Sequence, residues 1–153
     1  MIHYLKADAT LAQTEGKIII THICNDIGAW GKGFVLALSR RWKTPEKQYK
    51  DWYKQREGFH LGAVQFVQVT ENIWVANIIG QHKIYEEKGL PPIRYNAVKE
   101  ALQKVAAFAI EKQASIQMPR MGCGLAGGSW ENIEPIIEQT LLQNDIEVFV
   151  CDI

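Results

Sequence analysis

Met118-Pro-Arg-Met-Gly-Cys-Gly-Leu-Ala-Gly-Gly-Ser-Trp-Glu131 decides how the rest of the chain is read. An apolar run, Ala114 to Met118, leads into it, and a helix-like run, Ile133 to Leu142, leads out. Between them Gly122, Gly124, Gly127 and Gly128 crowd one short turn. A glycine-rich turn between a strand and a helix lets the backbone approach a ligand closely. It also points free N–H groups at an anion, and the dipole of the following helix adds to their pull. Phosphate is the simplest ligand for such a loop, although a flexible surface turn has the same composition. No Gly-Lys-Ser/Thr follows, so this is not the Walker pattern.

The chain around this stretch has the composition of an ordinary globular protein. Its 153 residues suffice for one domain, 1–153, with a substantial core. Lys plus Arg and Asp plus Glu number 17 each, so balanced charge gives no reason to expect a nucleic-acid partner. The apolar runs are far shorter than a bilayer span, and no membrane association is expected. Met1 to Asp8 reads as a short strand and a turn, without the apolar core of a signal peptide. Cys24, Cys123 and Cys151 are odd in number and widely spaced, which argues against a disulfide framework and for a reducing, cytoplasmic setting. His3, His22, His60 and His82 show no metal-ligand spacing, so neither a metal nor a cofactor is expected.

Taken in order, Ile2 to Lys6 reads as a strand. Lys17 to Cys24, KIIITHIC, is a β-branched apolar run suited to a buried strand. It ends in a second glycine-containing loop, Asn25 to Gly33. Phe34, Val35, Leu38 and Trp42 then recur at helical spacing. Thr44-Pro45 has the form of an N-cap followed by Pro at the first position of a helix carrying Tyr49, Trp52 and Tyr53. Gly62 to Thr70 alternates apolar and polar residues like a half-exposed strand, and Ile73 to Ile79 is its hairpin partner. Gly80 to Pro92 is irregular, and alanine-rich Tyr95 to Lys112 is the clearest helix. Asn132 is a candidate cap for the last helix, which puts Pro135 at its third position. Ile146 to Cys151 closes the chain as a strand. This alternation predicts an α/β fold with a central mixed sheet covered by helices on both faces. Both glycine loops then leave the carboxyl ends of strands, where open α/β sheets bind ligands, and Asp8 shares that edge.

Three stretches together carry a resemblance: Lys6-Ala-Asp-Ala-Thr10, His22-Ile-Cys-Asn-Asp-Ile-Gly-Ala-Trp-Gly-Lys-Gly33 and Met118-Pro-Arg-Met-Gly-Cys-Gly-Leu125. Their types, spacing and order resemble the macro domain family over essentially the whole chain. The resemblance implies a three-layer α/β/α fold that binds ADP-ribose or a derivative, including ADP-ribosylated protein. It implies that Asp8 recognises adenine beside the Ala9 amide, and that Asn25 lies against the distal ribose. Trp30, Gly31, Lys32 and Gly33 correspond to the first loop, around the distal ribose and diphosphate. Gly122, Cys123, Gly124, Leu125, Ala126 and Gly127 correspond to the second phosphate loop.

The branch most resembled holds terminal ADP-ribose protein glycohydrolase and ADP-ribose-1''-phosphate phosphatase. The glycohydrolase pattern includes a lysine after the strand matching Trp74 to Ile79 and an aspartate after Gly-Cys-Gly-Leu. Here those places hold Gly80 or Gln81 and Ala126, with Lys83 displaced. The phosphatase pattern, a histidine before Cys-Asn and a tryptophan before the first glycine loop, is matched by His22 and Trp30. The resemblance therefore implies a hydrolase acting on ADP-ribose 1''-phosphate or an ADP-ribose ester, de-ADP-ribosylation being the second form. The expected catalytic set is Asn25 to orient the ribose, with His22 or Asp26 as general base. The alternatives are a reader without turnover and, for His22, a satisfied core histidine. Cys123 lacks a paired base and reads as part of the loop's shape. Tyr49, Trp52 and Tyr53 at helical spacing read as packing.

Overall fold

A computed structural model describes residues 1–152. Six strands form one sheet: β1 (Ile2–Lys6), β2 (Ile18–Asn25), β3 (Val64–Gln68), β4 (Ile73–Gln81), β5 (Ser115–Met118) and β6 (Val148–Asp152). Their order across the sheet is β1-β6-β5-β2-β4-β3. Every neighbouring pair is parallel except the β3–β4 hairpin, which pairs Phe66 with Ala76 in antiparallel register. Four helices cover it: α1 (Phe34–Arg41), α2 (Thr44–Gln55), α3 (Tyr95–Lys112) and α4 (Trp130–Thr140). The three-layer α/β/α arrangement expected from the sequence is the one observed.

The alternation of side chains along β2 builds the two cores. Ile19, with Ala76, Ile78, Ile116, Val148 and Val150 from neighbouring strands, packs beneath α3 and α4. Ile18, Ile20 and Cys24, with Val75 and Ile79, pack beneath α1 and α2. Ile18, Ile19, Ile20, Ile78 and Ile79 are almost wholly buried, and each such side chain contributes about 1.5–3 kcal/mol. The alanines of α3, at 97, 101, 106 and 109, let that helix lie close on the sheet.

Some boundaries differ from the sequence reading. β4 runs on to Gln81, because Gln81 still pairs with Asn25 across a register shift in β2. The preceding residue, Lys43, occupies the cap position of α2, so Pro45 is its second residue. Ser129, not Asn132, precedes α4, and Pro135 is interior to that helix. The buried face formed by Ile133, Ile136 and Ile137 holds the helix through a residue that supplies no N–H. None of the helices is long and apolar enough to cross a membrane, among the described residues.

Candidate functional site

In this strand order the carboxyl ends of β1, β6, β5, β2 and β4 lie side by side along one edge. Residues far apart in sequence meet there, in the series Asp8, Asp152, Arg120, Asn25 and Gln81. Two adjoining cavities of roughly 300 Å³ each open on this edge. The first lies among Lys32, Gly33, Phe34, Val35, Arg120, Gly122 and Gly124. The second lies among Asn25, Ala29, Gly31, Gln81 and Ile84. Lys32, Val35, Gln81 and Leu125 border both.

The first cavity is built to take an anion. Gly33 stands at the N-cap of α1 with φ 83° and ψ −147°, a conformation essentially reserved for glycine. No side chain caps that helix and its first turn holds no acid. The N–H groups of Gly33, Phe34 and Val35 therefore find no partner among the described residues. Across the cavity, the N–H groups of Gly122, Gly124, Leu125 and Ala126 are likewise unpaired among the described residues. Two sets of free amides and a helix N-terminus thus converge on one space, the arrangement that binds phosphate.

Backbone bonds hold the second loop in shape. Gly128 N–H donates to the Gly122 carbonyl at 2.7 Å, and Gly127 N–H to the Gly124 carbonyl at 3.0 Å. Gly122, Gly124 and Gly127 have the G-x-G-x-x-G spacing of a dinucleotide-binding turn. The geometry is different, because the loop closes on itself before α4 begins. Gly122 has φ 80°, and a Cβ there would lie 2.6 Å from Ile93 Cδ1. The Tyr95 hydroxyl accepts the Ser129 N–H at 3.1 Å, tying the loop's exit to α3.

The expected site residues divide. Asp8 lies at the β1 end of the edge in a polar depression with Thr10, Ala37, Arg40 and Arg41. Its Oδ1 accepts the Thr10 N–H at 2.8 Å and the Thr10 hydroxyl at 2.7 Å, which holds its carboxyl below the usual range. Oδ2 lies 3.6 Å from Arg41 Nη2. Gly31, Lys32, Gly33, Gly122, Gly124, Leu125 and Ala126 all line the cavities. Ala9, Cys123 and Gly127 are absent from that lining. The Ala9 carbonyl accepts Gln117 Nε2, Cys123 turns its thiol toward the Met121 carbonyl, and Pro91 packs against Gly127.

Trp30 lies outside the lining of both cavities. Its ring is 6% exposed, lies beneath the first loop against Tyr49 and His22, and donates Nε1–H to Ser39 Oγ at 2.8 Å. Asn25 Oδ1 accepts the N–H groups of Ile27 and Ala29, both at 3.0 Å, and Nδ2 donates to the Ala29 carbonyl. The side chain thus folds its own loop at the border of the second cavity.

His22 fits the core-histidine alternative. It is 2% exposed, and its Nε2 lies 2.5 Å from Asn77 Oδ1. Asn77 spends its Nδ2 hydrogens on Pro45 O and Gln65 Oε1, so its Oδ1 is the acceptor and His22 Nε2 the donor. Burial pushes the imidazole pKa down to about 4, which keeps the ring neutral and makes it a weak base. Asp26 is also engaged: Oδ2 lies 2.6 Å from His82 Nδ1 and Oδ1 accepts the Lys83 N–H at 2.7 Å. That pair locks the chain after β4 onto the end of β2. Lys83 itself pairs with Glu87.

Whole-chain comparisons agree with this architecture. A solved macrodomain protein from Streptomyces coelicolor is 49% identical, with a TM-score of 0.89 over 100% of this chain and 99% of that one. The chain belongs to the macro domain family. No family model matches it. A curated relative, the chromodomain-helicase-DNA-binding protein 1-like of Danio rerio, is 31% identical over 95% of this chain, which spans only 15% of that relative's length. The ADP-ribose 1''-phosphate phosphatase of Lodderomyces elongisporus is 22% identical over 99% of both chains. Thermosipho africanus DarTG, solved in complex with ADP-ribose, shares the fold at 16% identity and a TM-score of 0.72, over 87% of this chain and 37% of that one.

Within this macro domain two residues face the site that the sequence reading did not select. Gln81, at the end of β4, borders both cavities. Arg120 lies within Met118 to Glu131, directly after Pro119, and lines the first cavity.

Proposed function

We propose that this macro domain binds ADP-ribose along the carboxyl edge of its sheet and hydrolyses a group joined to the ligand's 1'' position, phosphate or carboxylic ester. One observation carries the reading: the free amides of Gly33, Phe34 and Val35 and those of Gly122, Gly124, Leu125 and Ala126 line one cavity midway along an edge that has Asp8 at one end and Gln81 at the other. A ligand with adenine at Asp8 lays its diphosphate between those amides and its distal ribose in the second cavity. The kinship with ADP-ribose 1''-phosphate phosphatases along their whole length supports the choice of ligand and of reaction.

In the phosphatase form, water adds to phosphorus, the bond from phosphorus to the 1''-oxygen breaks, a proton from the water passes to that oxygen, and ADP-ribose and inorganic phosphate are the products. Fixed amides stabilise the charge that gathers on the transferring oxygens without having to reorganise. Lys32, bordering both cavities, adds positive charge there.

A second reading, capture without turnover, is favoured by the cavities' lining. It includes no carboxylate, and its one histidine is the buried His22. Incubation with ADP-ribose 1''-phosphate and with glutamate-linked ADP-ribosyl protein, beside an ADP-ribose titration, separates the two. Phosphate or ADP-ribose release supports the hydrolase. Binding alone supports the reader, and absence of binding rejects both.

A further inference from the structure

Arg120 is held as a ready-made fork at the border of the first cavity. Its Nε donates to Asp152 at the end of β6, with the two carboxylate oxygens 2.8 and 3.0 Å away. The guanidinium carbon lies 5.1 Å from the Tyr4 ring centroid and 5.2 Å from that of Trp130. Those rings are themselves joined, Trp130 Nε1–H donating to the Tyr4 hydroxyl at 3.0 Å, and that hydroxyl donating to Glu134. Three elements, β1, β6 and α4, therefore fix the direction of one side chain. Nη1 and Nη2 make no hydrogen bond among the described residues, although the side chain is only 40% exposed.

An arginine pinned through Nε with its far nitrogens idle is organised for an oxyanion. Its place in the strand order says which one. β5 lies between β6 and β2, so Arg120 stands nearer the Asp8 end of the edge than the amides of Gly33 to Val35, and away from Gln81. We propose that Arg120 is a specificity residue: its Nη1 and Nη2 grip the phosphate nearer the adenosine, while the loop amides hold the other phosphate. Asp152, Tyr4 and Trp130 are its positioning residues. This rests on the ADP-ribose reading above.

The test is calorimetry and chemical-shift titration with ADP-ribose, ADP and adenosine, using the wild type, Arg120→Ala and Arg120→Lys. Loss of one charge-assisted contact weakens ADP-ribose and ADP by about 10- to 100-fold in Arg120→Ala. Adenosine, which has no phosphate, binds both proteins alike. Arg120→Lys keeps the charge but not the planar fork and recovers part of the loss. Equal weakening for adenosine would make Arg120 a structural or base-stacking residue, and no change for any ligand would remove its role; either overturns the proposal. A wild type that binds neither nucleotide defeats the ADP-ribose reading itself, a different result from a variant that matches a binding wild type.

Discussion

Tyr49, wholly buried in α2, donates its hydroxyl hydrogen to the backbone carbonyl of Asn25 at 2.6 Å, and its oxygen lies 2.9 Å from Asn25 Oδ1. One phenol thus anchors the residue that folds the first loop. Tyr49→Phe strands that buried carbonyl, so it lowers unfolding free energy by about 1–2 kcal/mol. It also weakens ADP-ribose about three- to tenfold, because the loop must be ordered on binding. Urea unfolding and calorimetry check both; an unchanged affinity would mean that the loop is ordered without the tyrosine.

Gly33 separates strain from charge. Any side chain at φ 83°, ψ −147° costs about 1–3 kcal/mol, so Gly33→Ala and Gly33→Glu lose comparable stability. The glutamate also sets a negative charge at the mouth of the anion site, and its affinity for ADP-ribose falls about a hundredfold below that of the alanine variant. Melting curves and titrations of the pair decide this. Equal affinities would exclude an anion at α1.

His22 makes stability depend on pH. Its folded pKa, about 4, lies below the ordinary value of 6.5, so between these limits the unfolded chain binds a proton that the folded one refuses. The stabilisation is complete above pH 6.5 and falls as pH drops toward 4, by an amount on the order of 3 kcal/mol. His22→Gln retains a donor for Asn77 and flattens the difference between denaturation midpoints at pH 7 and pH 4.5. Turnover by His22→Gln persists at neutral pH; abolished turnover with intact binding would return His22 to the chemistry.

The Asp26–His82 contact holds the segment that carries Ile84 to the second cavity. His82→Ala speeds amide hydrogen exchange across residues 82–90 and weakens ADP-ribose about three- to tenfold. Exchange rates identical to wild type would show that backbone bonds such as His82 N–H to Pro92 O suffice.

Local periodicity made most of the fold legible. KIIITHIC has the length and β-branched composition of a buried strand, the spacing of Tyr95 to Lys112 is helical, and both loops announced themselves by glycine. What stayed hidden depends on long-range meetings. Trp30 reads as a ligand residue until α2 is seen to lay Tyr49 beside it. That Asn25 also takes its own loop's amides is visible only once the loop is folded. Arg120 sat in the most informative stretch of the chain, yet nothing local marks it. Its partners are Asp152, Tyr4 and Trp130, two of them at opposite ends of the chain. Pro135 likewise shows that packing of an isoleucine face overrides a helix breaker.

The second loop's grip comes from backbone directions, while its outward side chains are unconstrained. A Cβ built on Gly124 meets no atom within 4 Å, nor does one on Gly31, and Leu125 is 66% exposed. Positions 31, 124 and 125 therefore border the cavities without sharing in the core. Substitutions there re-cut the rim at little expense to folding, so libraries at these three sites offer a route to macro domains that favour a different substituent at the ligand's end. Gly122 and Gly128, boxed in by Ile93, are the positions such libraries must leave alone.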